Sequence, residues 1–261
     1  MPRERIPAMP ARRDATRVKR NRKLIVLLFL FFITILMILF FNSTLSKVTI
    51  IEITGNRYVP KAEIEAVLDV KTDDQFFLVR TDEVERNILN LKEIKSVEVV
   101  KTFPGKVTVK VEEHPAVGIR FDGNQEAYVV LANGTGIRLE KGSIPPHLPI
   151  LSGWDESDPN WLELCEVLAG IPAPSLADVS EILPYPSWSY PDRVKMYTRS
   201  RYEIITAIQY MEEMIPLLDN VVLQLKQDHN GPGTITMLET ITYSSFDSDK
   251  SEEEIREEPA Q

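Results

Sequence analysis

The side chains best suited to metal binding or covalent chemistry are scattered along this 261-residue chain. The histidines are His114, His147 and His229, and none has the HExxH spacing that places two imidazoles on one helical face. The single cysteine, Cys165, lies in an apolar stretch with helical spacing, so we expect a buried thiol and not a nucleophile. It also has no intrachain disulfide partner. The sequence therefore predicts no metal site and no cofactor.

Adjacent carboxylates, the residues of general acid and base catalysis, are abundant, as in Glu112-Glu113 and Glu212-Glu213. Neighbouring residues point to opposite faces of a strand and lie about 100° apart on a helix, so these pairs do not aim two carboxyls at one substrate. The chain has neither a GxSxG nucleophile elbow nor a phosphate-binding glycine loop. We therefore expect no enzyme; the alternative, a hydrolase of cell-wall glycans, would require two carboxylates that converge in a cleft.

One segment must occupy a different solvent from the rest of the chain. Residues 24–41 (LIVLLFLFFITILMILFF) contain Thr34 as the only polar residue, and no charge follows until Lys47. At about 1.5 Å per residue the segment spans roughly 27 Å, close to the hydrocarbon thickness of a bilayer. We predict a transmembrane helix over 24–45. The alternatives are a buried helix of a soluble domain and a cleaved signal peptide, whose apolar core is shorter and ends in an A-x-A-like site.

The charge of the chain differs on the two sides of this segment. Residues 1–23 carry nine Lys/Arg and two carboxylates, a net charge of +7, so the total of −9 leaves −16 for residues 47–261. Cationic flanks stay in the cytoplasm, which predicts a basic cytoplasmic tail over 1–23, a type II single-pass orientation and an acidic extracellular part. An acidic part of this size would repel phosphates, so we expect no nucleic-acid partner.

The clearest secondary-structure pattern lies in residues 47–115. Three runs rich in β-branched residues are predicted strands, at 48–53, 94–100 and 106–112. Between the first two strands, apolar residues at helical spacing predict one helix over 61–68 and a second that Thr81 caps. The predicted order is β-α-α-β-β in a compact module directly after the apolar segment.

Residues 116–246 are predicted to form a second, β-rich domain of mixed α/β content that begins after Pro115, which cannot donate to a sheet. One hairpin is centred on Asn133-Gly134, where both residues can adopt positive φ, and another on Arg199-Ser200. Two helices are indicated, one after Asp158 as its N-cap and one over 208–218. Two further strands are predicted, at 221–225 and 234–243.

The last residues, 247–261, contain seven carboxylates and Ile255 as the only large apolar residue. Such a segment buries too little surface to offset its ordering entropy, which predicts an acidic disordered tail. The predicted fold class is therefore α+β, with a single transmembrane helix, a β-α-α-β-β module and a second β-rich domain.

A proline-rich stretch at 183–191 (LPYPSWSYP) is predicted to be a loop. X-Pro bonds in flexible loops populate cis at about 5–30% and exchange in seconds to minutes. We therefore predict doubled backbone resonances at Tyr185, Pro186, Tyr190 and Pro191.

The module over 47–115 resembles a POTRA domain of the FtsQ/DivIB cell-division family. The resemblance lies in ITGN at 53–56, which closes the first strand, and in KSVEVVKTFPGKVTVKVEEHPAV at 95–117. The order of a short basic tail, one anchor, this module, a β-rich domain and a charged tail is also similar. The short length and the acidic end resemble the members from Gram-positive rods more than those from Gram-negative ones.

This resemblance implies a non-enzymatic scaffold of the division machinery at the septum of the cell membrane. Proteins of the family bind two bitopic division proteins, FtsL and a DivIC/FtsB-type protein, and the complex regulates septal peptidoglycan synthesis; the septal transpeptidase is a further candidate partner. The alternative is a POTRA-type polypeptide-binding chaperone or transport protein, which would require a long series of membrane β-strands after the module.

The resemblance also implies that partners contact the last strands of the second domain, which here lie within 234–246. We expect an edge strand there, whose unpaired N–H and C=O groups a partner strand can satisfy, with outward N–H groups at Thr236, Thr240 and Thr242. The candidate partner-binding residues are Thr234, Thr236, Leu238, Thr240, Thr242, Tyr243 and Phe246. The side chains of Ile235, Met237 and Ile241 are expected in the core.

Overall fold

The computed structural model describes residues 22–140, 142–145 and 147–246. The acidic tail predicted over 247–261, and all but the last two residues of the basic tail, lie outside the described residues. Helix α1 (Arg22–Asn42) buries none of its residues, and its most apolar 18 residues have a mean hydropathy of 3.3. The predicted apolar helix is thus present, although it ends at Asn42 and not at Leu45, which lies in a separate 3₁₀ turn over Thr44–Ser46. Within the described part of the chain it alone is long and apolar enough to cross a membrane.

The first domain has the predicted β-α-α-β-β order. Its elements are β1 (Ile50–Thr54), α2 (Lys61–Val67), α3 (Thr81–Leu89), β2 (Ile94–Thr102) and β3 (Lys106–Glu113). The central strand of the three-stranded sheet is β3, which pairs in parallel with β1 and antiparallel with β2. Alternate side chains of β3 are buried (Val107, Val109, Val111) against Ile64 of α2 and Ile88 of α3. This alternation is what makes β3 a strand with one wet face.

The start of α3 differs from the prediction by one residue. The Arg80 carbonyl accepts from the N–H groups of both Glu83 and Val84, at 3.2 Å each, so Thr81 is the first helical residue and not the cap. The Arg80 guanidinium also pairs with the Glu83 carboxylate at 2.8 Å.

The second domain is a nine-stranded mixed sheet with three helices. Its strands are β4 (Ala116–Phe121), β5 (Ala127–Leu131), β6 (Gly136–Arg138), β7 (Ile150–Leu151), β8 (Val179–Pro184), β9 (Arg193–Thr198), β10 (Glu203–Ala207), β11 (Gly233–Met237) and β12 (Ile241–Ser245). The strand order is β12-β11-β10-β9-β8-β7-β4-β5-β6. The helices are α4 (Trp161–Gly170), α5 (Ile208–Met214) and α6 (Leu218–Gln227). Their buried side chains form one core with Met196, Ile204 and Ile235 of the central strands.

The predicted strand at 221–225 is wrong, because these residues lie inside α6. Leu218 and Val222 are one helical turn apart, and both are buried in the core. The run VVLQL therefore continues the helical stripe of α5 rather than starting a strand.

The predicted single strand at 234–243 is also wrong. It is two antiparallel strands, β11 and β12, joined by a turn at 238–240. Continued alternation from Ile235 and Met237 would direct the Glu239 carboxylate into the core, which is costly without a partner. The chain reverses at this residue instead.

Two local expectations about turns need correction. Asp158 precedes α4 without capping it: its Oδ1 accepts from the Asn160 N–H at 2.8 Å, and the helix begins at Trp161. In the β5–β6 turn Gly134 has φ of 79°, but Asn133 is not among the residues with positive φ. The Asn133 side chain instead donates to the Lys92 carbonyl of the first domain, 2.7 Å away.

Cys165 is fully buried in α4, as predicted. Burial, assisted by the charge of Glu166, raises the pKa of its thiol to about 12. At pH 8 roughly 10⁻⁴ of the thiol would then be the reactive thiolate. Iodoacetamide should leave Cys165 unmodified in native buffer and label it fully in urea, as measured by mass spectrometry. Full labelling under native conditions would show that the Cys165 thiol is accessible to solvent and that the packing around α4 is open.

Candidate functional site

Strand β12 lies at one end of the nine-stranded sheet and pairs only with β11 among the described residues. The other end of the sheet, β6, lies beside the first domain, because Ile137 packs against that domain's core. Within residues 22–140, 142–145 and 147–246, β12 is therefore the edge of this sheet that does not adjoin the first domain.

Two contacts of Met237 and Leu238 establish which way the backbone groups of β11 point. The Met237 carbonyl accepts from Thr206 Oγ1 of β10 at 2.6 Å, so it faces β10. The Leu238 N–H donates to the Thr240 carbonyl at 3.3 Å and so faces the β12 side. Because backbone groups alternate along a strand, Thr234 and Thr236 direct theirs to β12.

The outward backbone groups of β12 follow from its register with β11. Thr236 pairs with Thr242, so the Thr242 N–H and C=O point back to β11. The intervening residues, Ile241 and Tyr243, direct their N–H and C=O groups away from β11, to the edge. The expectation of outward N–H groups at Thr236 and Thr242 is therefore wrong: the groups of these two residues face each other.

The remaining candidate residues surround this edge. Thr234 lies in β11, whose backbone is paired on both sides, and Leu238 and Thr240 lie in the 238–240 turn. Phe246 directly follows β12 and is half-buried. The structure thus collects the candidate residues into one hairpin, but only part of that hairpin is an edge.

The ring of Tyr243 has a structural role of its own. Its hydroxyl donates to the Gly231 carbonyl at 2.7 Å, and a Cβ added to Gly233 would lie 2.7 Å from its ring. The ring therefore crosses β11 where Gly233 has no side chain. The backbone N–H and C=O groups of Tyr243 thus point to the open edge, while its side chain packs β12 against β11.

The proline-rich loop lies at the same end of the sheet as the 238–240 turn. Tyr190 Oη donates to Glu239 Oε1 at 3.5 Å, and partial burial together with the Glu239 charge raises the pKa of Tyr190. The indole of Trp188 is fully exposed in this loop. The sequence did not link this loop to the last strands, and it did not indicate Trp188. Ile235 and Met237 are buried as expected, but the expectation that Ile241 lies in the core is wrong, because 40% of this residue is exposed. The sequence contains one indication that the predicted strand ends before 243. Glu239 would place a carboxylate at an inward-facing position of the alternating run.

The proline-rich loop is shorter than predicted, because Leu183 and Pro184 belong to β8 and pair with β9. Hydrogen bonds close the remaining loop. The Tyr185 N–H donates to the Arg193 carbonyl at 2.8 Å, and the Ser187 N–H donates to the Tyr190 carbonyl at 2.9 Å. Tertiary contacts normally hold one X-Pro isomer in an ordered loop, so the doubled resonances stay a prediction that NMR of the soluble part can test. If doubling is present, the Pro186→Ala and Pro191→Ala variants should remove it.

No three His, Cys, Asp or Glu side chains in residues 22–140, 142–145 and 147–246 lie close enough to hold a metal ion. The Glu112-Glu113 pair diverges as predicted. Glu112 accepts from Ser96 Oγ at 2.7 Å, whereas Glu113 accepts from backbone N–H groups after β1.

Comparison with known proteins agrees with this two-domain architecture. A family model described as "POTRA domain, FtsQ-type" matches residues 46–114. The cell division protein DivIB of Paenibacillus polymyxa (strain E681) is 34% identical over 253 residues, which cover 97% of this chain and 97% of that relative. The chain belongs to the DivIB family of cell division proteins. The recognition based on the motifs at 53–56 and 95–117 is confirmed.

Further DivIB proteins are similar to this chain over most of their length. The Geobacillus kaustophilus (strain HTA426) protein is 31% identical over 233 residues, 89% of this chain and 87% of that relative. The Bacillus subtilis (strain 168) protein is 29% identical over 243 residues, 92% of this chain and 88% of that relative. A solved structure, of the major extracytoplasmic domain of the trans isomer of DivIB from Geobacillus stearothermophilus, matches with a TM-score of 0.37 and 26% identity, covering 45% of this chain and 98% of that chain.

Membership in the DivIB family establishes a role in cell division, and the family model establishes an FtsQ-type POTRA domain. The structure adds the β-rich domain that follows it. The predicted fold class is thereby confirmed. The N-terminal apolar helix α1 is consistent with membrane anchoring, as expected of such a protein.

Proposed function

We propose that this DivIB-family chain is a non-enzymatic scaffold that binds FtsL and a DivIC/FtsB-type protein outside the membrane and thereby regulates septal peptidoglycan synthesis. The observation that carries the proposal is the edge of β12, because an edge strand presents a row of N–H and C=O groups that a partner strand can satisfy. The partners are proposed from the family resemblance, and the septal transpeptidase is a further candidate that would reach the complex through them.

The outward groups of Ile241 and Tyr243 are the main-chain positions at which the partner strand is proposed to bind. Thr242 is exposed between them, so a partner side chain can lie beside it. The exposed indole of Trp188 stands on the loop that contacts Glu239, at the turn end of the edge. An exposed aromatic side chain next to a strand edge supports binding there, because aromatic anchors supply much of the affinity of protein interfaces.

The proposed membrane topology is a single pass with the N-terminus in the cytoplasm and both domains outside. The length and hydropathy of α1 support the span, and the excess of Lys/Arg in residues 1–23 supports the orientation. The anchor lacks a small-xxx-small pattern and, from Leu24 onward, any charge, so we propose that it tethers the chain while the outer domains provide recognition.

Titration calorimetry tests the binding proposal directly. Residues 47–261 would be titrated with the ectodomain of a DivIC-type protein, with that of an FtsL-type protein, and with both together. We expect saturable binding that needs neither α1 nor the acidic tail, so residues 47–246 should bind equally well. Absence of binding to either ectodomain alone and to the mixture would contradict the proposal, as would equal binding by a chain that ends before β11.

A further inference from the structure

Large apolar side chains are exposed where α1 meets the first domain. Their exposed fractions are 45% for Phe41, 48% for Phe77, 76% for Leu78 and 55% for Phe103. Phe77 and Leu78 belong to the connection between α2 and α3, and Phe103 lies in the turn between β2 and β3. Ring contacts bring Phe41, Phe77 and Phe103 together around Phe40, and Leu78 directly follows Phe77 in the chain. These exposed residues are called here the juxtamembrane patch (Phe41, Phe77, Leu78 and Phe103).

The juxtamembrane patch is continuous with the helix. The ring centroid of Phe77 lies 5.9 Å from that of Phe40, in the last two turns of α1, and 6.3 Å from that of Phe103. A chain of ring contacts therefore leads from the end of α1 to Phe77 and Phe103 of the domain. Exposed contiguous apolar surface of this kind marks a membrane or protein contact.

Hydrogen bonds hold the domain close to the end of α1. The Phe41 carbonyl, left without a helical partner at the helix end, accepts from Ser46 Oγ at 2.8 Å and from Gln75 Nε2 at 3.1 Å. Ser46 is fully buried, and Lys47 forms a β-bridge with Gln75. The segment between helix and domain is therefore a packed joint and not a free linker.

The length of α1 determines where the juxtamembrane patch lies relative to the bilayer. Its 21 residues span about 31 Å at about 1.5 Å each, which matches a hydrocarbon core of about 30 Å. If α1 crosses the membrane, Phe40 and Phe41 lie at the outer boundary of that core. The ring of Phe77 contacts that of Phe40, and the ring of Phe103 contacts that of Phe77. Both residues therefore lie at the same boundary.

We propose that Phe77, Leu78 and Phe103 insert into the interface of the outer leaflet and hold the POTRA domain against the bilayer. The occupant of the patch is lipid, because the patch continues the surface of the helix that lipid already surrounds. The inserted side chains are uncharged, so insertion depends on apolar burial and not on anionic headgroups. This inference rests on the proposed transmembrane role of α1.

Spin labelling of the full chain in nanodiscs without any partner tests the insertion. Because Cys165 is buried, a nitroxide would label an introduced cysteine selectively, in Leu78→Cys or in Phe103→Cys. Leu30→Cys on α1 and Leu223→Cys on α6 replace exposed leucines and serve as membrane and solvent controls. The measurement is the accessibility of each label to oxygen relative to a water-soluble nickel complex, in phosphatidylcholine and in phosphatidylglycerol.

The labels at positions 78 and 103 should favour oxygen several-fold more than the label at 223, with similar values in both lipids. If the labels at 78 and 103 are as accessible to the nickel complex as the label at 223, while the label at 30 favours oxygen, the insertion is overturned and the transmembrane anchor is not. A label at 30 that is readily accessible to the nickel complex would overturn both the transmembrane anchor and the insertion. Protection of 78 and 103 only after a DivIC-type or FtsL-type protein is added would show that the patch binds protein, and would also overturn the proposal.

Discussion

Replacing Ile241 with proline should weaken binding of a DivIC-type ectodomain by at least about 10-fold, or about 1.4 kcal/mol. The Ile241 N–H points away from β11, and proline removes this donor at the point where a partner strand would accept it. An edge strand tolerates proline at such a position because no bond within the sheet is lost. The effect should therefore appear in binding and not in folding.

Two variants serve as controls for the Ile241→Pro experiment. Ile241→Thr keeps the N–H and a β-branched side chain, so its affinity should stay within about 3-fold of the wild type if main-chain bonds dominate. Thr242→Pro removes an N–H that faces Thr236 of β11, so it should lower the melting temperature of the soluble part. Binding is measured by calorimetry and folding by circular dichroism. A folded Ile241→Pro variant with wild-type affinity would exclude this edge and direct attention to the first domain.

The order of elements in the first domain could be predicted from sequence because its patterns are local. Alternation in 106–112 and helical spacing in 61–68 each occur within one element, and each element buries the face that its pattern marks. The exact start of α3 could not be predicted in this way. The Arg80 carbonyl accepts the first helical hydrogen bonds, and the residue types around Thr81 do not show that the helix begins there.

The candidate edge could not be predicted in detail because an edge depends on pairing between distant segments. The alternating run 234–243 fits one long strand as well as two short ones, and only the parallel pairing of β11 with β10 places β12 outside. The side on which an N–H points follows from this register and not from the residue type. The contact of Tyr190 with Glu239 and the juxtamembrane patch are likewise long-range arrangements without a local signal.

Replacing Glu113 with alanine should destabilise the POTRA domain by about 2–3 kcal/mol, since three backbone donors lose a charged acceptor. Glu113 Oε1 accepts from the N–H groups of Arg57, Tyr58 and Val59 at 2.7, 3.0 and 2.9 Å. Val59 is buried, so water cannot readily replace the carboxylate there. The contact ties the end of β3 to the segment after β1, directly before the second domain begins.

The neighbouring carboxylate provides a matched control for Glu113. Glu112 lies on the exposed side of the same strand, and its hydrogen bonds from Ser96 and Lys95 lower the pKa of its carboxyl. A group with a lowered pKa stabilises the fold at neutral pH and loses that effect as the pH falls through its folded value. Because solvent screens this exposed ion pair, Glu112→Ala should change stability much less than Glu113→Ala at pH 7.

Calorimetric unfolding of residues 47–261 measures both glutamate variants. Glu113→Ala should lower the melting temperature by roughly 5–10 °C, and Glu113→Gln, which keeps one carbonyl acceptor, should lie between it and the wild type. Equal shifts for Glu112→Ala and Glu113→Ala would mean that the three N–H groups find other partners once the carboxylate is gone. The unequal shifts that we expect would show that Glu113 fixes the segment 57–59 through its position on the inner side of β3, a consequence of strand alternation within a carboxylate pair.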